Sequence, residues 1–238
     1  MEPLCAWLAD PTTIGKADAT HSKQHWWGMK WHEASAKALL TALCAREKAR
    51  LAFQRDQKGG PWLGVAPCRA LGTEIPNDEF RALGKYWLGA PIIEVGGSLA
   101  CPKCGNWSDT LGDHMVSCHR NDLRRRDETI QGALFELAQL AGVQAALEVA
   151  LPDGSVPGDL CFRQWDADGP AMIDVTCRNP VNLGTVPPAG SAWFRAQEDD
   201  KDDAYLLKCR AKGYSFIPYV LTPWGGLGPE ARKLIFRC

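Results

Sequence analysis

GDLCFRQWDADGPAMIDVTC, residues 158–177, reads as two short strands, 158–165 and 171–177, joined across the turn cluster DADGP. Side chains alternate along a strand, so Met172, Asp174 and Thr176 share one face, and Ile173, Val175 and Cys177 the other. Working outward, a third strand-like run spans 145–151 and is separated from the first by PDGSVPG. Before it, Ile130, Leu134, Leu137 and Ala141 fall on one helical stripe that Gly142 closes. After it, a helix over 192–212 ends at Gly213, a strand covers 215–222, and Pro229 suits the first turn of a last helix. The order helix, three strands, helix, strand defines a small α/β core.

Upstream of this core, Cys101, Cys104, His114 and Cys118 form a C-x2-C-x9-H-x3-C pattern. A C-x2-C turn converges two thiolates, and a His and a Cys one helical turn apart complete a tetrahedron of soft ligands for zinc. Pro102, Gly105 and Gly112 suit the tight turns of such a knuckle, and Asp113 offers an acceptor beside the ligand. His119 is an alternative to Cys118; the Cys-rich set is the softer cage. Chance clustering of buried cysteines is the plainer alternative, against which the spacing argues, and a redox C-x2-C leaves the His and the third Cys without a role.

A knuckle of this kind is structural, so chemistry has to sit elsewhere. Asp159 opens one strand and Asp174 lies in the next, where two carboxylates can share one hard cation through oxygen ligands. Taken singly each has a plainer reading, Asp159 as a turn residue after Pro157-Gly158 and Asp174 as a solvated strand acid. Arg120, Arg124, Arg125 and Arg126 follow the knuckle directly and are candidate phosphate contacts.

The rest of the chain sets limits. With 27 basic and 28 acidic residues the net charge is −1, so the molecule as a whole does not advertise polyanion binding. No apolar stretch reaches the roughly 20 residues of a membrane span, and MEPLCAWLAD lacks the pattern of a signal peptide. The cysteines outside the motif are scattered singly, which suits buried reduced thiols in an unsecreted, intracellular protein. Residues 33–55 lack Gly and Pro and read as one helix that stops before Lys58-Gly59-Gly60-Pro61. Residues 60–100 read as a connector with little regular structure. The expected organisation is therefore a helical region at 1–60, a connector with the knuckle at 61–119, and the α/β domain at 120–238. His21, His25 and His32 among Trp26, Trp27 and Trp31 suit a stacking platform or, more commonly, buried anchors.

Residues 60–226 resemble the C-terminal region of reverse transcriptases from non-LTR retrotransposons that end in a restriction-enzyme-like endonuclease. The matching pieces are PWLGVAP, EFRALGKYWLG, CPKCGNWSDTLGDHMVSC, RRRDETIQGALFELAQLAG, PGDL, MIDVT, residues 201–205 and FIPYVLTPWGG. The resemblance implies a PD-(D/E)xK restriction-endonuclease-like core after a CCHC zinc knuckle. It also implies DNA as partner, with RNA as a further option, a nuclear location, and nicking dependent on Mg2+ or Mn2+ that primes reverse transcription. Asp159 then stands at the PD position with Gly158 intervening, and Asp174 at the (D/E) position. Thr176 occupies the place of the usual lysine, and Lys201 in the acidic run Glu198 to Asp203 is the candidate replacement from the following helix. That run also reads as a solvated first helical turn. Glu148, and behind it Glu136 or Asp127, are candidates for a third metal ligand. Arg125-Arg126-Asp127 stands where relatives tend to carry Arg-His-Asp, so no histidine role transfers. A paired-Asp polymerase strand is missing, so the expectation is a nuclease portion without polymerase. The alternative is a nucleic-acid-binding or protein-interaction module that kept the fold and lost catalysis.

Overall fold

The computed structural model describes residues 23–56, 65–93, 100–118, 120, 123–166, 169–181 and 191–237. Among them the chain is mixed α/β, with seven α-helices and one four-stranded mixed sheet. No helix among the described residues is long and apolar enough to cross a membrane. Two compact units, Met1–Lys48 and Ala49–Cys238, are described in turn.

The smaller unit carries helix α1, Lys23–Ala42. A single helix over 33–55 was expected, but α1 ends at Ala42 and a new helix α2, Ala45–Asp56, starts three residues later. The cause is a local cap: Cys44 N–H donates to Glu47 Oε2 at 2.8 Å, the reciprocal half of a capping box, which needs neither Gly nor Pro. On α1 the Trp31 ring is 52% exposed and meets His32 edge-on, so it is not a core anchor. His21 and the side chains of His25, Trp26 and Trp27 lie outside the described residues, as do His119, Cys5 and Cys238.

The larger unit begins within α2, whose Phe53 is almost fully buried. Helix α3, Asn77–Leu88, occupies part of the segment expected to be irregular. Its Gly84 and the flanking Pro76 and Gly89 mimic a connector. Pro76 in fact precedes the first turn, Asp78 and Glu79 oblige the positive end of the dipole, and Gly89 closes the helix at φ 69°. A short helix α4, Asp113–Ser117, lies inside the Cys/His motif, and α5, Leu123–Leu140, follows. The buried stripe of α5 is Leu134 and Ala138, with Ile130 and Phe135 packed alongside. Leu137 is 52% exposed and Ala141 is exposed, so the true stripe runs at steps of four rather than the expected three and four.

The sheet is built from β1 (Ala145–Leu147), β2 (Leu160–Asp166), β3 (Gly169–Cys177) and β4 (Ser215–Leu221), in the order β1-β2-β3-β4. The first three pair antiparallel, while β4 runs parallel to β3 after a crossover through α6, Ser191–Arg210. Strand β1 is shorter than expected because Glu148 takes a left-handed conformation at φ 46°, which no pleated ladder accepts. A last helix α7 spans Pro229–Arg237.

The alternation of β3 divides the core as the sequence indicates. Ile173 and Val175 join Leu160, Phe162 and Tyr219 beneath α5 and α7. Met172 joins Cys161 and Phe216 on the opposite face, against Cys209 of α6. Cys161, Cys177 and Cys209 are buried free thiols. A third cluster, Phe53, Tyr86, Val181, Phe194, Val220 and Trp224, fastens α2 and α3 to α6 and β4.

Candidate metal centre and acidic cavity

Cys101, Cys104, His114 and Cys118 converge, with their ligand atoms all within 4.8 Å of one another. Cys101 Sγ lies 3.8 Å from Cys118 Sγ, and Cys104 Sγ lies 3.3 Å from His114 Nε2. Zinc with Zn–S bonds of about 2.3 Å sets tetrahedral sulfur–sulfur edges of about 3.8 Å, so the four atoms suit a metal such as zinc. The loop that carries them is held by backbone. Gly105, at φ 75°, donates to the Cys101 carbonyl at 2.8 Å, and Cys101 N–H donates to Asn106 O at 2.7 Å. Backbone N–H groups of Cys104 and Lys103 draw the Cys101 thiol down to about 6, which favours the thiolate a metal takes.

Two buried acids steady this loop. Asp109 accepts the N–H groups of Leu111, Asp113 and His114, which caps α4 and aims His114. Asp113 was expected to serve the ligand histidine, but its carboxylate is held elsewhere. Arg50 Nη2 donates to both its oxygens at 2.7 Å, with Tyr86 Oη and Asn179 Nδ2 also donating to it. The Arg50 and Asp113 side chains are 4% and 1% exposed, and the guanidinium lies over the Tyr86 and Trp224 rings. Removing one partner of such a buried pair costs about 3–5 kcal/mol, because the other charge stays buried alone.

The second site is a cavity of about 510 Å³ beside the end of β3. Its lining includes Asp127, Glu128, Glu148, Asp159, Asp174, Thr176, Arg178 and Lys201. Gly158 makes the approach possible, since a Cβ there would lie 2.8 Å from Ile173 O. Asp159 is therefore pressed onto β3: its N–H donates to Ile173 O at 2.8 Å, and its Oδ2 accepts Val175 N–H at 2.6 Å. Burial lifts the Asp159 carboxyl above the ordinary aspartate range, against the pull of the Val175 N–H and with the help of the Asp174 charge. Burial also lifts Asp174, against the pull of Lys201 and with the help of Asp127. Lys201 Nζ reaches Asp174 Oδ2 at 2.5 Å from α6. Apart from that ion pair, this enclosed oxygen meets no donor among the described residues. Such carboxylates are the oxygen donors a hard divalent cation takes.

Most of the acids and the lysine singled out in the sequence thus meet in one place. Glu148 enters the lining through its left-handed backbone, with its N–H donating to Asp159 O at 2.8 Å. Thr176 is in the lining but brings no cation. Asp127 is present as well, whereas Glu136 is exposed on α5 and is not in it. The four arginines separate. Arg124 lines the cavity and pairs with Glu128 at 2.7 Å. Arg126 is spent inside the fold, donating to Val116 O at 3.1 Å, Cys177 O at 2.6 Å and Asp127 Oδ1 at 3.0 Å. It ties α4 and the end of β3 to α5 and is not presented to a phosphate as expected. Arg120 and Arg125 are exposed and outside the lining. Arg178 and Gln131 line the cavity without having been singled out. Arg178 was legible, being four residues beyond Asp174 and directly after a strand already recognised. No protein-family model, curated protein or solved structure matches the chain.

Proposed function

We propose that this chain is a divalent-metal-dependent DNA endonuclease of the PD-(D/E)xK type, with the zinc knuckle of a non-LTR retrotransposon endonuclease region. The observation that carries the reading is the 2.5 Å pair between Lys201 on the crossover helix and Asp174 on β3. A lysine absent from its usual place two residues after the second acid, where Thr176 stands, is supplied to that acid from the next helix. The helix–three strands–helix–strand order and the parallel β3–β4 pair agree with that reading.

In this account Asp159 and Asp174 hold Mg2+ or Mn2+, with Glu148 as a further oxygen donor. A divalent cation held there would supply Lewis-acid polarisation of the phosphodiester and a lowered pKa for a water. Val175 N–H fixes one Asp159 oxygen, so the carboxylate keeps one orientation. Burial lifts both carboxyls, and a bound cation would offset the repulsion and desolvation. Lys201 orients the attacking water through its ammonium and faces the charge that grows on the phosphoryl oxygens. In the Cys/His cluster the reading places structural zinc, which would fix α4, and Arg126 of the cavity lining donates to the α4 carbonyl of Val116.

Lys201→Ala is expected to slow nicking of supercoiled plasmid in Mg2+ about 100-fold or more, the scale of losing one preorganised electrostatic group, with Mn2+ binding retained. Lys201→Ala nicking at the wild-type rate would remove the lysine from the mechanism.

A further inference from the structure

The cavity presents five carboxylates, Asp127, Glu128, Glu148, Asp159 and Asp174, against four cations, Arg124, Arg126, Arg178 and Lys201. Three of the cations are engaged. Arg124 pairs with Glu128, Arg126 with Asp127 and two backbone carbonyls, and Lys201 with Asp174. Arg178 has no ion-pair or side-chain hydrogen-bond partner among the described residues, and it is exposed. Its main chain is nonetheless fixed, because Arg178 N–H donates to Leu221 O at 2.9 Å and so anchors it between the ends of β3 and β4. Its charge is also felt by the second acid, helping to pull the Asp174 carboxyl down against the burial that lifts it.

We infer that Arg178 is a catalytic residue that grips the non-bridging oxygens of the phosphodiester lying over Asp159 and Asp174. This rests on the endonuclease reading and names the group that meets its substrate. A guanidinium suits that role, because its planar fork matches two phosphate oxygens at once and it stays charged at any working pH. The acid excess explains why one unengaged cation matters here. A phosphodiester brings a further negative charge to walls already short of positive charge, and Arg178 and the divalent cation are the groups placed to meet it. Arg120, exposed and outside the cavity, is left to contact phosphates further along the duplex.

The test uses the full chain with a fluorescently labelled DNA duplex, reading anisotropy in Ca2+, which occupies oxygen sites, and nicking in Mg2+. Arg178→Ala is expected to weaken Ca2+-dependent binding at least tenfold and to reduce the salt dependence by about one ion. Arg178→Lys recovers part of the loss, and added guanidinium ion partly restores nicking by Arg178→Ala, which a purely structural role does not allow. Arg69→Ala, which removes an exposed arginine paired with Glu74, controls for net charge and leaves both readouts unchanged. If wild type nicks and Arg178→Ala binds and nicks equally well, the Arg178 assignment is overturned and the nuclease reading stands. If wild type binds in Ca2+, loses affinity on Arg178→Ala and never nicks, the nuclease reading fails and the phosphate grip stands. A wild type that neither binds nor nicks overturns both.

Discussion

Gly158 is the smallest residue in the acidic site and among the most constrained. Its missing side chain lets Asp159 lie against β3, where any Cβ would meet Ile173 O at 2.8 Å, and main chain cannot step aside as a flexible side chain can. Gly158→Ala is expected to cost about 1–3 kcal/mol, as overpacking does, and to displace the Asp159 carboxylate. Thermal melting and nicking check it together, and an Ala variant with wild-type values in both shows that the close approach does not matter. Pro157-Gly158-Asp159 and Ile173-Asp174-Val175 were legible because strand alternation and a turn dipeptide are local signals. Lys201 was readable only as a candidate, since nothing local to an acidic run tells which of its members turns toward a strand far back in the chain. The engagement of Arg126 was hidden for the same reason: its carbonyl partners, Val116 and Cys177, are main-chain atoms with no sequence signature.

Among the elements, α6 has two roles. It brings Lys201 to Asp174, and one turn earlier its Glu198 caps α7, accepting Glu230 N–H at 3.0 Å, with Gly228 leaving room for the carboxyl. Burial lifts Glu198 from 4.5 to about 7. A folded value above the unfolded one means its contribution to stability is fully present below pH 4.5 and is lost as pH rises through about 7. Glu198→Gln is expected to flatten that part of the stability profile, read from denaturant midpoints between pH 4.5 and 7; an unchanged slope contradicts it. The Cys/His loop is a further element, with no strand among its described residues and one isolated bridge between Ala100 and Trp107. Chelation is expected to release one zinc per chain and melt α4, lowering the thermal midpoint, because metal binding and local folding are one process. A metal count of zero in a natively folded chain defeats this. Helix α3 escaped the sequence reading through its glycines and proline, whereas the α1–α2 break escaped it for want of either.

For the whole molecule, one cluster of apolar side chains and one buried ion pair join the Cys/His loop, α2 and α3 to the α/β core within the larger unit. The order of helices and strands in that core was legible from periodicity and turn residues. The fastening of α2 to it was not, because Arg50, Asp113 and Asn179 meet across 63 to 66 residues of chain. A near-neutral molecule whose cavity carries an excess of acids suits a nuclease that meets DNA through a metal ion better than one that relies on a broad basic face. Plasmid nicking tests that claim most directly, comparing wild type with Asp159→Ala and Asp174→Ala in Mg2+ or Mn2+ and in EDTA. Wild type is expected to give open-circle product in either metal and none in EDTA, with losses of about 100-fold or more in both variants. Equal nicking by all three proteins, or none by wild type in either metal, contradicts it.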